Sequence, residues 1–192
     1  YQIMEEMEEW EAEMDKLLII LPIVGTAFKK TYWDAQKQRN VSCLIMPKQL
    51  VINYWAKCMD DAERISEIIP MSKRKVKEKQ LAGLYLDVKL EQPQSFSDHK
   101  VGVYDETQPD NDDTTPYNII EQHCYLDLDE DGYSEPYIVT FEETSKKVLR
   151  ITARFTQDTV QVDEKGKIVK IDPVAYYTKY GFVPNPDGGF YD

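Results

Sequence analysis

The sequence predicts an α+β fold: mainly antiparallel β-sheet, with an N-terminal amphipathic helix and one further short helix. Three observations carry this. Residues 1–21 place apolar side chains at 4-3-4-3-4 spacing, the period of a helix. Residues 119–155 read as three strands joined by two short polar turns, which implies an antiparallel meander. Residues 159–171 read as one more hairpin around a polar Asp-Glu-Lys-Gly turn.

The chain has 192 residues, 42% of them hydrophobic and 30% charged. That is globular composition, and the length suffices to bury a core. The formal net charge of -12 repels phosphate, so the region is unsuited to gripping nucleic acid. Cys43, Cys58 and Cys124 are odd in number and widely spaced, with no CxxC pair. Neither a disulfide scaffold nor a zinc site is indicated, and reduced thiols in a cytosolic setting are the expectation. The longest apolar run, 17–24, contains Pro22 and is too short to span a bilayer. The chain starts at Tyr1 with no signal peptide and stops at a Gly-Gly-Phe-Tyr-Asp end, so an excerpt of a longer protein is expected.

In chain order, the first helix buries Ile3, Met7, Trp10, Met14, Leu17 and Leu21 and ends at Pro22 and Gly25. The same 3-4 repeat suits a seam against a neighbouring subunit. Strands over 26–33 and 41–46, joined by a polar turn, form a hairpin. A short strand follows at 50–52. Tyr54 and Trp55 are assigned to packing by their size. A strand over 64–69 ends at Pro70. A helix over 72–84 starts on Ser72 as N-cap and carries Lys73, Arg74, Lys75, Lys77 and Lys79. Those charges sit where the helix dipole disfavours them, so a solvated, salt-bridging face is expected rather than a phosphate site.

Residues 91–116 are rich in proline and acid, and read as a long mobile loop with a short strand at 101–104. The loop divides a first half, 1–90, from a meander over 117–175. On the meander's first strand, Ile120, Cys124, Leu126 and Leu128 share one face, and Glu121, His123 and Asp127 the other. On its third strand Leu149, Ile151, Ala153 and Phe155 point inward, and Arg150, Thr152 and Arg154 outward. The final segment, 176–192, has neither strand nor helix period and reads as an aromatic surface segment.

Candidate chemistry is sparse. Asp127, Asp129 and Asp131 alternate and are followed by Gly132, the spacing of the first half of a calcium-binding EF-hand loop. The second half departs from it: Ile138 stands where a bidentate glutamate is needed, and Pro136 lies inside. The competing reading is an acidic β-turn. His99 lies in the long loop, and His123 is assigned to an outer strand face. Cys124 adjoins His123 but points to the opposite face, so no dyad forms. No carboxylate pair stands out for glycoside chemistry, and no Gly-rich phosphate motif is present.

Five segments, in order, resemble the portal proteins of tailed bacteriophages, of the podovirus type common in prophages. They are LLIILPIVGTAFKKTYWD (17–34), MPKQLVINYWAK (46–57), the helix and LAGLY near 75–85, EQHCYLDLDEDGYSEPYIVT (121–140), and YYTKYGFVPNPDGGFYD (176–192). The resemblance implies a structural protein, not an enzyme. It implies a ring, usually of twelve subunits, at a capsid vertex of the virion, assembled in host cytoplasm. DNA passes through such a ring in packaging and ejection, and the ring docks terminase and head-completion proteins. Residues 1–192 would be wing region, ahead of a stem helix, facing capsid and neighbouring subunits rather than the bore. By itself the excerpt is expected to be monomeric or weakly associating, with no cofactor and no membrane contact. Two other expectations rest on the residues: a calcium-dependent binding module using Asp127–Asp131, and a carbohydrate-active enzyme.

Overall fold

The computed structural model describes residues 7, 9–93, 114–164, 168–183 and 189–190. Two helices and ten strands are present among them, and the sheets are antiparallel throughout. The expected fold class, α+β with mainly antiparallel sheet, is the observed one. None of the described helices is long and apolar enough to cross a membrane.

Helix α1 (Trp10–Val24) turns Trp10, Met14, Leu17 and Leu21 toward the protein, and Leu17 is fully buried. The rest of the predicted apolar face, at 1–6, lies outside the described residues. The helix does not end at Pro22. Proline there removes one amide bond, and only two residues follow it. Gly25 ends it, with φ 84 and its N–H donating to Leu21 O at 2.8 Å, a left-handed exit that costs glycine little.

Strands β1 (Thr26–Asp34) and β2 (Arg39–Ile45) form the expected hairpin, paired from Phe28↔Ile45 to Asp34↔Arg39. Asp34 Oδ1 accepts from the Gln36 and Lys37 amides and shapes the turn. The other edge of β1 is filled by β10 (Tyr177–Gly181), from Thr26↔Gly181 to Lys30↔Tyr177. The last segment is therefore not a featureless surface run. It supplies a strand, and both Tyr177 and Phe190 are buried. No apolar alternation marks it, because YTKYG has aromatic residues at 177 and 180 with two polar residues between them.

The larger sheet has the order β3-β4-β5-β6-β7, from β3 (Leu50–Ile52), β4 (Ile65–Met71), β5 (Tyr117–Leu126), β6 (Glu135–Glu142) and β7 (Val148–Ala153). Pro70 lies inside β4, opposite Asn118, rather than ending it. β3 covers β4 only as far as Glu67, so beyond that the edge is open and proline is tolerated. Helix α2 (Lys73–Leu81) starts as expected, with Ser72 Oγ accepting from the Lys75 amide. It lowers Val76 onto Met71, Ile119 and Leu149. A last hairpin joins β8 (Val160–Val162) and β9 (Ile168–Ile171). The expected strand at 101–104 and His99 lie outside the described residues.

Three assignments of side-chain direction are reversed. Tyr54 and Trp55 do not pack: they are 88% and 85% exposed and lean edge-on against each other. On β5 the covered face is the one carrying Ile119, Glu121 and His123, and His123 is only 1% exposed. On β7, Leu149 is buried as expected, but Ile151 and Ala153 face solvent and Arg154 is buried. The cause is a bulge. Phe141 pairs with Val148 while Thr140 pairs with Arg150, so Leu149 is the extra residue and the alternation changes phase behind it.

The two sheets meet over a core of Phe28, Ile45, Leu50, Ala56, Ile65 and Tyr177. β1 is buried on both sides, by α1 on one and the larger sheet on the other, so Thr26 through Lys30 are all inaccessible.

Candidate functional site

The acidic corner lies in the turn between β5 and β6. One carboxylate oxygen from each of Asp127, Asp129 and Asp131 lies within 4.8 Å of the others. The sequence thus brings them together as predicted. Asp127, however, has both oxygens engaged by the backbone: Oδ1 accepts from Asp131 N at 3.2 Å and Oδ2 from Gly132 N at 2.9 Å. Asp131 Oδ1 accepts from Tyr133 N at 2.7 Å. Gly132 (φ 91) and Glu130 (φ 61) take the left-handed conformations that the turn needs. Ile138, where a bidentate carboxylate would stand, is inside β6 opposite His123. The carboxylates here hold a turn.

On α2, the basic cluster forms the expected solvated face. Arg74 pairs with Glu78 at 2.6 Å and Lys77 with Asp87 at 2.8 Å. The three cysteines are free, and Cys124 sits on the opposite side of β5 from His123.

None of the polar groups that converge was among the predicted site residues, and the sequence pattern assigns His123 to an outer strand face. Lys30, on the inner side of β1, reaches across to the larger sheet. Its Nζ meets Glu67 Oε2 at 2.5 Å and Glu121 Oε1 at 2.8 Å. Tyr177 on β10 donates its hydroxyl to Glu67 Oε2 at 2.8 Å. His123 Nε2 lies 3.3 Å from Glu121 Oε1, and its ring packs 4.9 Å from that of Tyr177. Strand pairing explains the grouping. Glu67 and Glu121 are direct cross-strand partners on β4 and β5, a like-charge pair that is unfavourable alone. Lys30 enters from the opposing sheet and bonds both, its one positive charge offsetting their mutual repulsion.

The electrostatics follow. Burial alone would lower the Lys30 ammonium, but Glu121 and Glu67 outweigh it and hold its pKa well above the ordinary value. Burial would raise Glu121, yet the His123 hydrogen bond and the Lys30 charge bring it down to about 2. Burial pushes His123 below its usual value despite Glu121 beside it, so the ring is neutral at pH 7. Burial and the two carboxylates push the Tyr177 phenol far up, so it stays a donor. This is a set of fixed charges without a labile proton near neutrality, which suits holding two sheets together.

The network opens on a cleft of about 620 Å³. It is lined by His123 and Tyr125 of β5, by Arg154 just past β7, and by the 170–177 segment. Arg154 lies in the same cross-strand row as Pro136 and Tyr125: its amide donates to Pro136 O, and its guanidinium rests 5.4 Å over the Tyr125 ring. Sequence reasoning missed Lys30, Glu67, Glu121 and Arg154. The usable signal was charge inside otherwise apolar strands, as in TAFKKTY and ISEIIP, where a buried partner is required.

No family model matches the chain, and no curated protein matches it.

Proposed function

We propose that this chain is the wing region of a ring-forming portal subunit of a tailed bacteriophage, a structural part of the capsid vertex through which DNA is packaged and ejected. The ordered resemblance of the five segments supports the reading. From the geometry, it is carried by an apolar strip left outside the fold. Leu18, Ile19, Ile23 and Val24 on α1 are 58%, 68%, 80% and 43% exposed. Phe182 and Val183 are exposed beside them, where the Phe182 amide donates to Gly25 O. A surface of this kind fits a neighbouring copy of the subunit. The net charge of -12 fits a region placed away from the DNA path. In this reading terminase, capsid and head-completion proteins are partners of the whole ring. The test is to express the full-length protein alone and inspect it by negative-stain microscopy. Rings are expected, and a uniformly monomeric protein at micromolar concentration overturns the proposal.

A further inference from the structure

The cleft beside the ionic network holds a cation without a counter-charge. Arg154 is 6% exposed, and its Nε has no hydrogen-bond partner. Among the described residues no carboxylate forms an ion pair with it. The other cation in the lining, Lys170, is already paired with Asp172 at 2.6 Å. His123, also in the lining and 1% exposed, has Nδ1 unpartnered as well. A buried guanidinium normally has a carboxylate to offset its lost hydration. Contact with the Tyr125 ring offsets only part of that cost. Burial lowers the Arg154 pKa, and Tyr125, Cys124 and Tyr176 beside it offset that only in part.

The surroundings narrow the missing group. Tyr125, Tyr133, Tyr176 and Tyr177 contribute to the lining, with Val174 and Ile171, so the walls suit an apolar body. Asp60, Glu63 and Asp172 also line the cleft, and they disfavour a doubly charged anion such as phosphate. A single negative charge on a planar group matches a guanidinium best.

We infer that this cleft binds a small monocarboxylate with an aromatic or branched apolar body, its carboxylate accepting hydrogen bonds from the Arg154 guanidinium. The inference is independent of the ring reading. It uses only this chain's own cleft.

Phenylacetate, its neutral analogue phenylacetamide, and inorganic phosphate are the probes, titrated calorimetrically into the protein and into Arg154→Met. Phenylacetate is expected to bind in the millimolar range. Phenylacetamide and phosphate are expected to bind at least about tenfold more weakly, the scale of one lost charge-assisted hydrogen bond. Arg154→Met is expected to lose phenylacetate binding by a similar factor while raising the Tm of the ligand-free protein, because it removes a buried unpaired charge. A purely structural Arg154 gives the opposite sign: its loss lowers the Tm or prevents folding, and either result overturns the inference. So does equal binding of phenylacetate and phenylacetamide, or no phenylacetate heat at all.

Discussion

Lys30 and Glu121 show how single residues set the response of this protein to pH. Glu121 is held down to about 2, and His123 below its ordinary value, so both take up protons more readily in the unfolded chain. Stability therefore rises with pH through both ranges. It is fully present above the unfolded histidine value near 6.5. It falls first as unfolded His123 protonates, and falls again between about 4.5 and 2 as the unfolded Glu121 carboxyl does. Lys30, held high, stays charged throughout and loses its contribution only in strong alkali. Urea midpoints measured from pH 7 to pH 2.5 are expected to decline along this course. Glu121→Gln is expected to be less stable at pH 7 and to have a shallower decline below pH 4.5; an unchanged slope would show that Glu121 is not the titrating group.

At the scale of elements, the apolar residues of α1 divide into two sets. Leu17 faces β1 and β2, and Leu18, Ile19 and Ile23 face outward. The helix was legible because one face repeats at 3.6-residue period. Its outward isoleucines were not, because apolar residues off the main stripe carry no signal of what covers them. The hairpins were legible for a similar reason: polar turns at 34–40 and 143–147 separate alternating runs. β10 was not, since YTKYG earns its strand conformation only by pairing with β1. Nor was the face of β5, where hydrophobic alternation pointed the wrong way because Glu121 and His123 turn inward, Glu121 onto Lys30 of β1 and His123 onto Tyr177 of β10. In the double variant Ile19→Glu, Ile23→Glu, stability of the chain should change by no more than about 0.5 kcal/mol. Ring formation by the full-length protein should be lost. Rings that survive the double substitution would remove the strip from the interface.

Across the whole molecule, the Lys30 cluster is the polar seam between the two sheets, set beside the apolar core of Phe28, Leu50 and Ile65. Removing one member of a buried ion cluster leaves its partners charged and unpaired, at about 3–5 kcal/mol. Lys30→Met is therefore expected to destabilise the protein by that amount in urea unfolding. Tyrosine and tryptophan fluorescence should report one shared transition, because the loss of Lys30 removes the ionic tie between the two sheets and leaves Glu67 and Glu121 side by side on the larger one. A cost below about 1 kcal/mol would show that the two sheets are joined by apolar packing alone. The pairing of β1 with β10 carries a consequence for synthesis. β1 leaves the ribosome long before its second partner, at 177–181, is made. Until then the hairpin of β1 and β2 has one bare edge, and Lys30 lacks the shelter of Tyr177. Such long-range closure makes folding slow and the nascent edge open to wrong pairing. For the proposed ring subunit, the time spent with that edge uncovered competes directly with productive assembly.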